Sequence, residues 1–363
     1  MNRNKKIIIS TILLIIAATI DLFIGDSKIA LSDLSNLSEI QKTIIFDIRL
    51  PEVLTASIVG LSLGLGGAIM QTILNNPLAD PFTLGISSAA GFGASLFLIL
   101  GLSLSYVAFG SIIFSLISMF FVFYISKKKY MNTEDMILAG IAVKFFFDSL
   151  TSLLQYIATD EALASIVFWL FGNVTKTTTV EILIILAVFL IIVIFSLKDA
   201  WKLTAMRFGE DRAKAMGVDT KILKLKTFIL VSILAAVSVS YVGIIGFIGI
   251  LAPHFARRMV GEDQRYYLIL SAIIGGILLV ISSMVTKVIK TGVVVPIGII
   301  SSLIGLPLIF VMLFGVKNDW YKKSYNKLWQ KSYRWYKFCD RARKSPCSYG
   351  PKWSWKILNS KCN

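Results

Sequence analysis

The chain has 363 residues, of which 56% are hydrophobic, and a mean hydropathy of +0.77. Soluble domains are only about half apolar, so this composition excludes an ordinary soluble protein and indicates a polytopic, all-α membrane protein. The net charge of +16 would suit nucleic-acid binding only if the cations were not gathered beside predicted membrane spans.

The N-terminal apolar run, Ile7 to Ile24, follows a basic start and predicts a retained first span. A cleaved signal peptide is the alternative. Its apolar region is usually about 7–15 residues long and ends at a small-residue cleavage site, for which Ala17–Asp21 is a poor match. Residues 25–48 are polar and predict an outer loop.

Two apolar runs follow, separated by a polar turn at 75–81 that contains two prolines. Pro51 suits a helix start, and the run from Leu50 to Leu74 can cross a hydrocarbon core of about 30 Å. Both runs are rich in glycine or serine, and small residues let helices pack closely within a bilayer. This hairpin, spanning 49–93, is therefore predicted to lie inside a helix bundle.

The remaining apolar segments bring the predicted total to about ten spans. Their approximate ranges are 106–126, 136–157, 180–197, 227–253 (one span and a short one that ends at His254), 267–288 and 296–314. The segment 158–176 is predicted to lie outside and 198–226 to form a long inner loop. Two regions result, a transmembrane domain over 1–314 and a basic, aromatic tail over 315–363.

Charge placement predicts the orientation of these spans. If the N-terminus is cytoplasmic, most of the 37 Lys and Arg residues fall in inner segments, as the positive-inside rule expects. Those segments are 1–6, 127–129, 198–226, 254–265 and 315–363. The chain is therefore expected to cross a cell membrane several times with both termini cytoplasmic, and its charge is explained without nucleic acid.

The sequence lacks the patterns that catalysis or metal binding requires. It has no phosphate-loop motif, and no spacing suggests a serine–histidine–acid set. The only histidine, His254, excludes a multi-histidine metal or haem site within this chain. The three cysteines lie in the tail without zinc-site spacing. We expect no catalytic residues, no metal and no cofactor in this chain.

Two ionisable residues, Lys144 and Asp148, lie within the span predicted over 136–157. Four residues apart, they share a helix face and can pair. Charged groups at this depth are costly and usually face the bundle interior or a water-filled path. They form either a self-satisfied ion pair or part of a path lining. The second interpretation would also allow an ion-coupled secondary transporter, the main alternative function.

The long inner loop is predicted to contain a short helix. Glu210 and Asp211 suit its first turn, where they complement the helix dipole. Ala213 and Met216 continue it, and Gly217 fits the position just past its end. Such a helix is either a solvated connector or a docking element for a cytoplasmic partner.

Cations are predicted at the outer ends of spans, at Arg49, Lys287 and Lys290. They either extend to lipid headgroups or offer charge partners to an acidic docking protein.

Eight short segments occur in a definite order between residues 46 and 314: RLP (49–51), GGAIMQ (66–71), NNPLADP (75–81), LGISSAAGFGA (84–94), LAG (138–140), GEDRAKAMGV (209–218), GFIGILAPHFARRMVG (246–261) and PIG (296–298). Together they resemble the membrane permease subunits of ATP-binding-cassette importers for ferric siderophores, haem and cobalamin. The resemblance implies a type II ABC importer fold of ten spans and a transport subunit that is not itself an enzyme. It also implies a second permease copy or paralogue, two cytoplasmic ATPase subunits and an extracytoplasmic binding protein.

The resemblance assigns roles to individual residues. The segment 209–218 resembles the coupling helix of the family, which sits in the ATPase cleft; the residues carried over are Gly209, Glu210, Asp211, Ala213, Met216 and Gly217. The cytoplasmic gate loop falls at Asn132, Thr133 and Glu134. Arg49 and Lys287 fall where family members carry cations that pair with glutamates of the binding protein.

The sequence departs from the family pattern at four places. Glu52 stands where many members have a second arginine, and Val294 where they usually have glutamate. Lys144 and Asp148 replace small or neutral residues.

The tail has no counterpart in the family. Its tyrosines and tryptophans, spaced three or four apart, predict an interfacial amphipathic helix, with an unstructured extension as the alternative.

Overall fold

The structure, a computed structural model, describes residues 2–25, 38–128, 133–289 and 295–315, and within these ranges every regular element is a helix. The α-helices of these ranges are α1 (Arg3–Phe23), α2 (Glu39–Thr43), α3 (Leu50–Ile73), α4 (Ile86–Ile99), α5 (Leu104–Lys128), α6 (Thr133–Ile157), α7 (Asp160–Leu170), α8 (Thr179–Lys198), α9 (Ala200–Met206), α10 (Glu210–Ala215), α11 (Thr220–Val242), α12 (Ile248–Val260), α13 (Gln264–Ile289) and α14 (Ile297–Gly315). A π-helical segment, Ile44–Arg49, joins α2 to α3, and a 3₁₀ turn, Pro81–Leu84, precedes α4.

The all-α polytopic fold is confirmed. In the described part of the chain, seven helices are long and apolar enough to cross a membrane: α1, the continuous helix Glu39–Ile73, α5, α6, α8, α11 and α13. Two shorter apolar helices, α4 and α14, lie where spans were predicted. The 13-residue α12 lies where the short span was predicted. The order of the elements is therefore the predicted one.

Three predicted boundaries were wrong. The inner loop predicted over 198–226 ends earlier, because Asp219 caps α11 and the helix begins at Thr220. The expected outer loop over 25–48 is helical from Glu39 onward, because Ser38 and Gln41 form a capping box that starts α2 and apolar residues then continue the helix. The short span expected to end at His254 continues to Val260. Its last turn holds two arginines, which favour the carboxyl end of a helix dipole.

The predicted interior hairpin is confirmed. In the stretch Glu39–Ile73, 83% of the most apolar window is buried, against 11% in α1. The amino-terminal two-thirds of α4 is also buried. The glycines of α3 explain this burial: a Cβ on Gly60 would lie 2.5 Å from the carbonyl oxygen of Gly275, and one on Gly64 would clash with the backbone of Ser271.

These contacts fix how α3 and α13 run. Because Gly60 meets Gly275 and Gly64 meets Ser271, the two helices are antiparallel. The start of α3 therefore lies beside the end of α13, which carries Lys287. We call this the Lys287 end of the bundle. The opposite end holds the start of α13 and the short helices α9 and α10, and we call it the α10 end.

The chain forms two compact units, Met1–Leu308 and Ile309–Asn363. The second is described only through Gly315, in the last turns of α14. The tail predicted over 315–363, and the helix predicted within it, lie almost entirely outside the described residues. The domain boundary at 314 stays a prediction.

We expect Gly60→Ala to destabilise the fold by about 1–3 kcal/mol, because the added methyl group must push α13 away from α3. Thermal unfolding of the purified protein in detergent measures this change. Gly246→Ala is the matched control, since its Cβ would find only the Ser302 hydroxyl, at 3.9 Å. Equal unfolding temperatures for the two variants would contradict the close crossing.

Candidate functional site

The predicted short helix of the inner loop exists as α10, Glu210–Ala215. Gly209 before it and Gly217 after it have φ values of +101° and +83°, in the left-handed region that favours glycine. A Cβ at either glycine would meet nothing within 4 Å. Backbone conformation, not space, therefore requires glycine at both positions.

One face of α10 is buried and the other is open. Ala213 is fully buried, whereas Asp211 and Met216 are exposed, Met216 by 48%. The helix is thus seated on the protein through Ala213 and presents an acidic and an apolar side chain outward. This geometry can serve either a connector or a docking element, and the coupling role stays a prediction.

Glu210 ties α10 to the bundle. Its Oε2 lies 2.6 Å from Nζ of Lys224, and its Oε1 accepts a hydrogen bond from Thr220 at 3.1 Å. Lys214 lies 3.3 Å away on the same helix. Burial raises the pKa of Glu210, but the hydrogen bond from Lys224 and the charge of Lys224 lower this pKa by more than burial raises it. The pKa of Glu210 therefore lies below its usual value.

The predicted gate residue Thr133 joins the same cluster. Its Oγ1 accepts a hydrogen bond at 3.5 Å from Lys224. Glu134 is exposed on the first turn of α6, and Asn132 lies outside the described residues. The structure therefore brings one gate candidate and one coupling candidate to the same buried lysine. Sequence reasoning missed Lys224, although a lone lysine facing an apolar helix bundle was a possible signal.

A second polar cluster lies at the α10 end and begins at Arg207, just before α10. Its guanidinium binds Glu262 through two parallel hydrogen bonds, of 2.8 and 3.0 Å. The third guanidinium nitrogen of Arg207, Nη1, donates a hydrogen bond to Asn75 Oδ1 at 3.1 Å. Paired hydrogen bonds of this kind fix geometry as well as charge. Arg207 thus links the α10 loop to the α3 turn and to the loop before α13.

Gln71, near the end of α3, sits at the centre of the same cluster. Its Oε1 accepts hydrogen bonds from Arg257 at 3.3 Å and from the Tyr267 hydroxyl at 3.4 Å. The Arg257 guanidinium also lies over the Tyr267 ring, 5.3 Å from its centre. The ends of α3 and α12 and the start of α13 are therefore held together by polar contacts.

At the Lys287 end, charged side chains from α1, α3 and α13 form a closed cluster. Nζ of Lys287 lies 2.9 Å from Oδ1 of Asp21 and 3.4 Å from Oε2 of Glu52. Arg49 donates a hydrogen bond to the carbonyl oxygen of Leu22 at 3.2 Å. Asp21, Arg49 and Glu52 are buried. Both predicted docking cations are thus turned into the protein.

The docking role of Arg49 and Lys287 stays a prediction, and their internal contacts give them a second function in holding three helices together. Glu52, the departure from the family pattern, supplies a carboxylate to Lys287 within the chain. Lys290 and Val294 lie outside the described residues.

The predicted pairing of Lys144 with Asp148 is confirmed. Nζ of Lys144 lies 2.5 Å from Oδ2 of Asp148, and the two side chains are 45% and 41% exposed. The pair is therefore on the outer surface of the described unit and not in its core. Its role in a path stays a prediction.

A cavity of about 410 Å³ opens near α7 and the end of α11. Trp169, Asn173, Lys176, Glu181 and Tyr241 are among its lining residues, and none of the predicted site residues lines it. Within the described ranges, no group of three or more His, Cys, Asp and Glu residues is placed to hold a metal ion.

The model of the FecCD transport family matches residues 13–315. The chain belongs to the FecCD transport family. A protein of Methanocaldococcus jannaschii named as an ABC transporter permease is 35% identical over 85% of this chain and 95% of its own length. The molybdate import system permease protein MolB of Haemophilus influenzae is 33% identical over 85% of this chain and 94% of its own.

A solved structure has the same fold. It is described as an inward-facing conformation of a metal-chelate type ABC transporter, is 32% identical and has a TM-score of 0.78, over 86% of this chain and 99% of that one. Further relatives are named as permeases for vitamin B12, hemin and iron uptake. This FecCD chain is therefore an ABC importer permease and a multi-pass membrane protein, and its relatives are transport components.

We expect Lys287→Met to destabilise this FecCD protein by about 3–5 kcal/mol, because it leaves two buried carboxylates without their cation. Thermal unfolding in detergent measures the loss, and adding Asp21→Asn in the Lys287→Met background should restore part of it. If Lys287 serves only to dock a binding protein, Lys287→Met would unfold at the parent temperature and lose only that association.

Proposed function

We propose that this chain forms, with a second copy of itself or a paralogue, the membrane path of an ATP-driven importer for an iron chelate, haem or cobalamin. Two cytoplasmic ATPase subunits would supply the energy, and an extracytoplasmic binding protein would deliver the cargo. Relatives named for hemin, iron and vitamin B12 support this cargo class. Another relative is named for molybdate, so the cargo of these relatives differs. The cargo class is therefore a more specific proposal than the ATP-driven import itself.

The observation that carries the proposal is the geometry of α10. A six-residue helix bounded by two glycines in the left-handed region is a defined shape, and its exposed face holds Asp211 and Met216. Glu210 fixes its buried side to α11. An exposed helix that is anchored to the bundle by an ion pair can transmit a displacement caused by an ATPase into the membrane domain through contiguous contacts.

We infer the sidedness of the protein from charge. The segments 198–226 and 254–265, at the α10 end, are rich in Lys and Arg, and the positive-inside rule supports a cytoplasmic position for this end. The start of α1 supports the same assignment for the N-terminus, because Arg3 pairs with Asp263 at that end, at 3.1 Å. The start of α14 donates a hydrogen bond to Gly172 at the other end of the bundle, so we propose that α14 begins on the outer side.

The path itself would run beside α6. Thr133 and Glu134, with Asn132, would belong to its cytoplasmic gate. A half-exposed charged pair such as Lys144 and Asp148 is costly against lipid, which supports a position in the path or against the second permease copy. Arg49 and Lys287, at the opposite end, would lie near the docked binding protein.

We expect Gly217→Val to reduce both ATPase association and uptake by about tenfold or more, a loss of at least about 1.4 kcal/mol of binding free energy. A β-branched residue cannot easily adopt the φ of +83° that ends α10. Glu210→Ala should act in the same direction by loosening the buried side of the helix.

Both variants are tested by co-purification with the ATPase and by uptake of ferric chelates, haem and cobalamin into proteoliposomes. Lys202→Ala is the control, since its half-exposed side chain pairs with Asp199 outside α10. Parent-level association and uptake in both test variants would refute the coupling role of α10.

A further inference from the structure

Lys224 lies where three helices of the α10 end meet. It belongs to α11, and its side chain is only 1% exposed. Its Nζ lies 2.6 Å from Oε2 of Glu210, the first residue of α10. The same nitrogen donates to Oγ1 of Thr133, the first residue of α6, at 3.5 Å. One buried ammonium group therefore contacts the first residues of two other helices.

The position of this ammonium group depends on Glu210. A buried cation without a partner costs several kcal/mol, so breaking such a pair is far more costly than moving it intact. Glu210 lies nearer the surface, since its side chain is 32% exposed against 1% for that of Lys224, and it can move with α10 while keeping the ion pair. A displacement of Glu210 is therefore followed by the Lys224 side chain.

We propose that Lys224 is a positioning residue that transmits displacement of α10 to the start of α6. The proposal rests on the proposed function, in which an ATPase pushes on α10. It adds the sequence of contacts. When Glu210 moves, its ion pair with Lys224 moves the ammonium group, and the hydrogen bond from this group to the Thr133 hydroxyl moves the start of α6. The contact between Lys224 and Thr133 bridges 91 residues of sequence, so it joins elements that the chain itself does not connect closely.

A neighbouring lysine provides the matched control. Lys226 is on the same helix, but its Nζ lies 2.5 Å from Asp199 and its side chain is 39% exposed. It makes an ion pair of similar length with a residue outside α10 and α6. Removing its charge changes the charge of α11 equally without touching the proposed route.

The experiment uses the complete permease–ATPase complex in lipid nanodiscs. The three tail cysteines are replaced by serine, and one spin label is placed at Leu138→Cys, which is 64% exposed on the second turn of α6 and outside the proposed gate. Electron–electron double resonance then measures, without nucleotide and with ATP plus vanadate, the distance between the labels of two permease copies. If the partner is a paralogue, its label is placed at the corresponding position of its own chain. ATPase co-purification and the rate of ATP hydrolysis are measured on the same samples.

In the labelled parent we expect a nucleotide-dependent change of this distance. Lys224→Met, unlike Glu210→Ala, leaves Glu210 its hydrogen bond from Thr220 on α11. It should therefore keep the ATPase bound and hydrolysing ATP but lose the distance change, and Lys224→Arg should restore that change. Thr133→Val, which keeps the Glu210 ion pair and removes only the acceptor, should also lose the change, whereas Thr133→Ser should retain it. Lys226→Met should behave as the parent does.

A distance change in Lys224→Met and Thr133→Val equal to that of the parent would overturn the route through Lys224. So would loss of the ATPase or of folded protein in both variants, because Lys224 would then be a structural residue only. Absence of any change in a parent that binds the ATPase also counts against the route. A parent that binds no ATPase overturns the proposed function first, and the two failures are thus distinguishable.

Discussion

The close antiparallel crossing of α3 and α13 is the constraint on which the rest of the structure depends. Glycines on both helices remove the side chains that would separate them, and the backbones meet directly. In a bilayer, where helices gain little from leaving water, close packing is a main source of association free energy. The crossing also sets the register that places Glu52 beside Lys287 at one end and Gln71 beside Tyr267 at the other.

Each end of the bundle then gathers charged groups that would be costly alone. At the Lys287 end, Lys287 on α13 forms ion pairs within the protein with Asp21 on α1 and Glu52 on α3. At the α10 end, Arg207 and Lys224 attach the loop helix to different parts of the bundle, one to Glu262 and the other to Thr133. An exposed helix held from both sides in this way can act on the membrane domain, which is the basis of the proposed importer mechanism.

Much of this architecture could be predicted from the sequence. Apolar length gave the spans, the glycine and serine content of 49–93 indicated an interior hairpin, and the spacing of Lys144 and Asp148 required that they share a face. The bounds of α10 followed from acidic residues and Gly217. All of these features are local, because they depend on residues within about one or two helical turns of each other.

The contacts that join distant segments could not be predicted. Lys287 finds Asp21 across 266 residues, Arg207 finds Glu262 across 55, and no spacing rule connects either pair. Arg49 and Lys287 were assigned outward from their places at span ends, whereas helix crossing turns them inward. Such contacts depend on the angle and register of packed helices, which one sequence does not specify by pattern alone.

We propose that ATP hydrolysis in partner subunits, and not an ion gradient acting on Lys144 and Asp148, drives transport through this chain. The direct measurement is uptake of ferric chelates, haem and cobalamin into proteoliposomes that contain the permease, its ATPase and its binding protein. If ATP drives transport, one of these probes accumulates inside the proteoliposomes. This accumulation requires ATP and persists when an uncoupler is added. Uptake that proceeds without the ATPase and is abolished by the uncoupler would contradict the proposal.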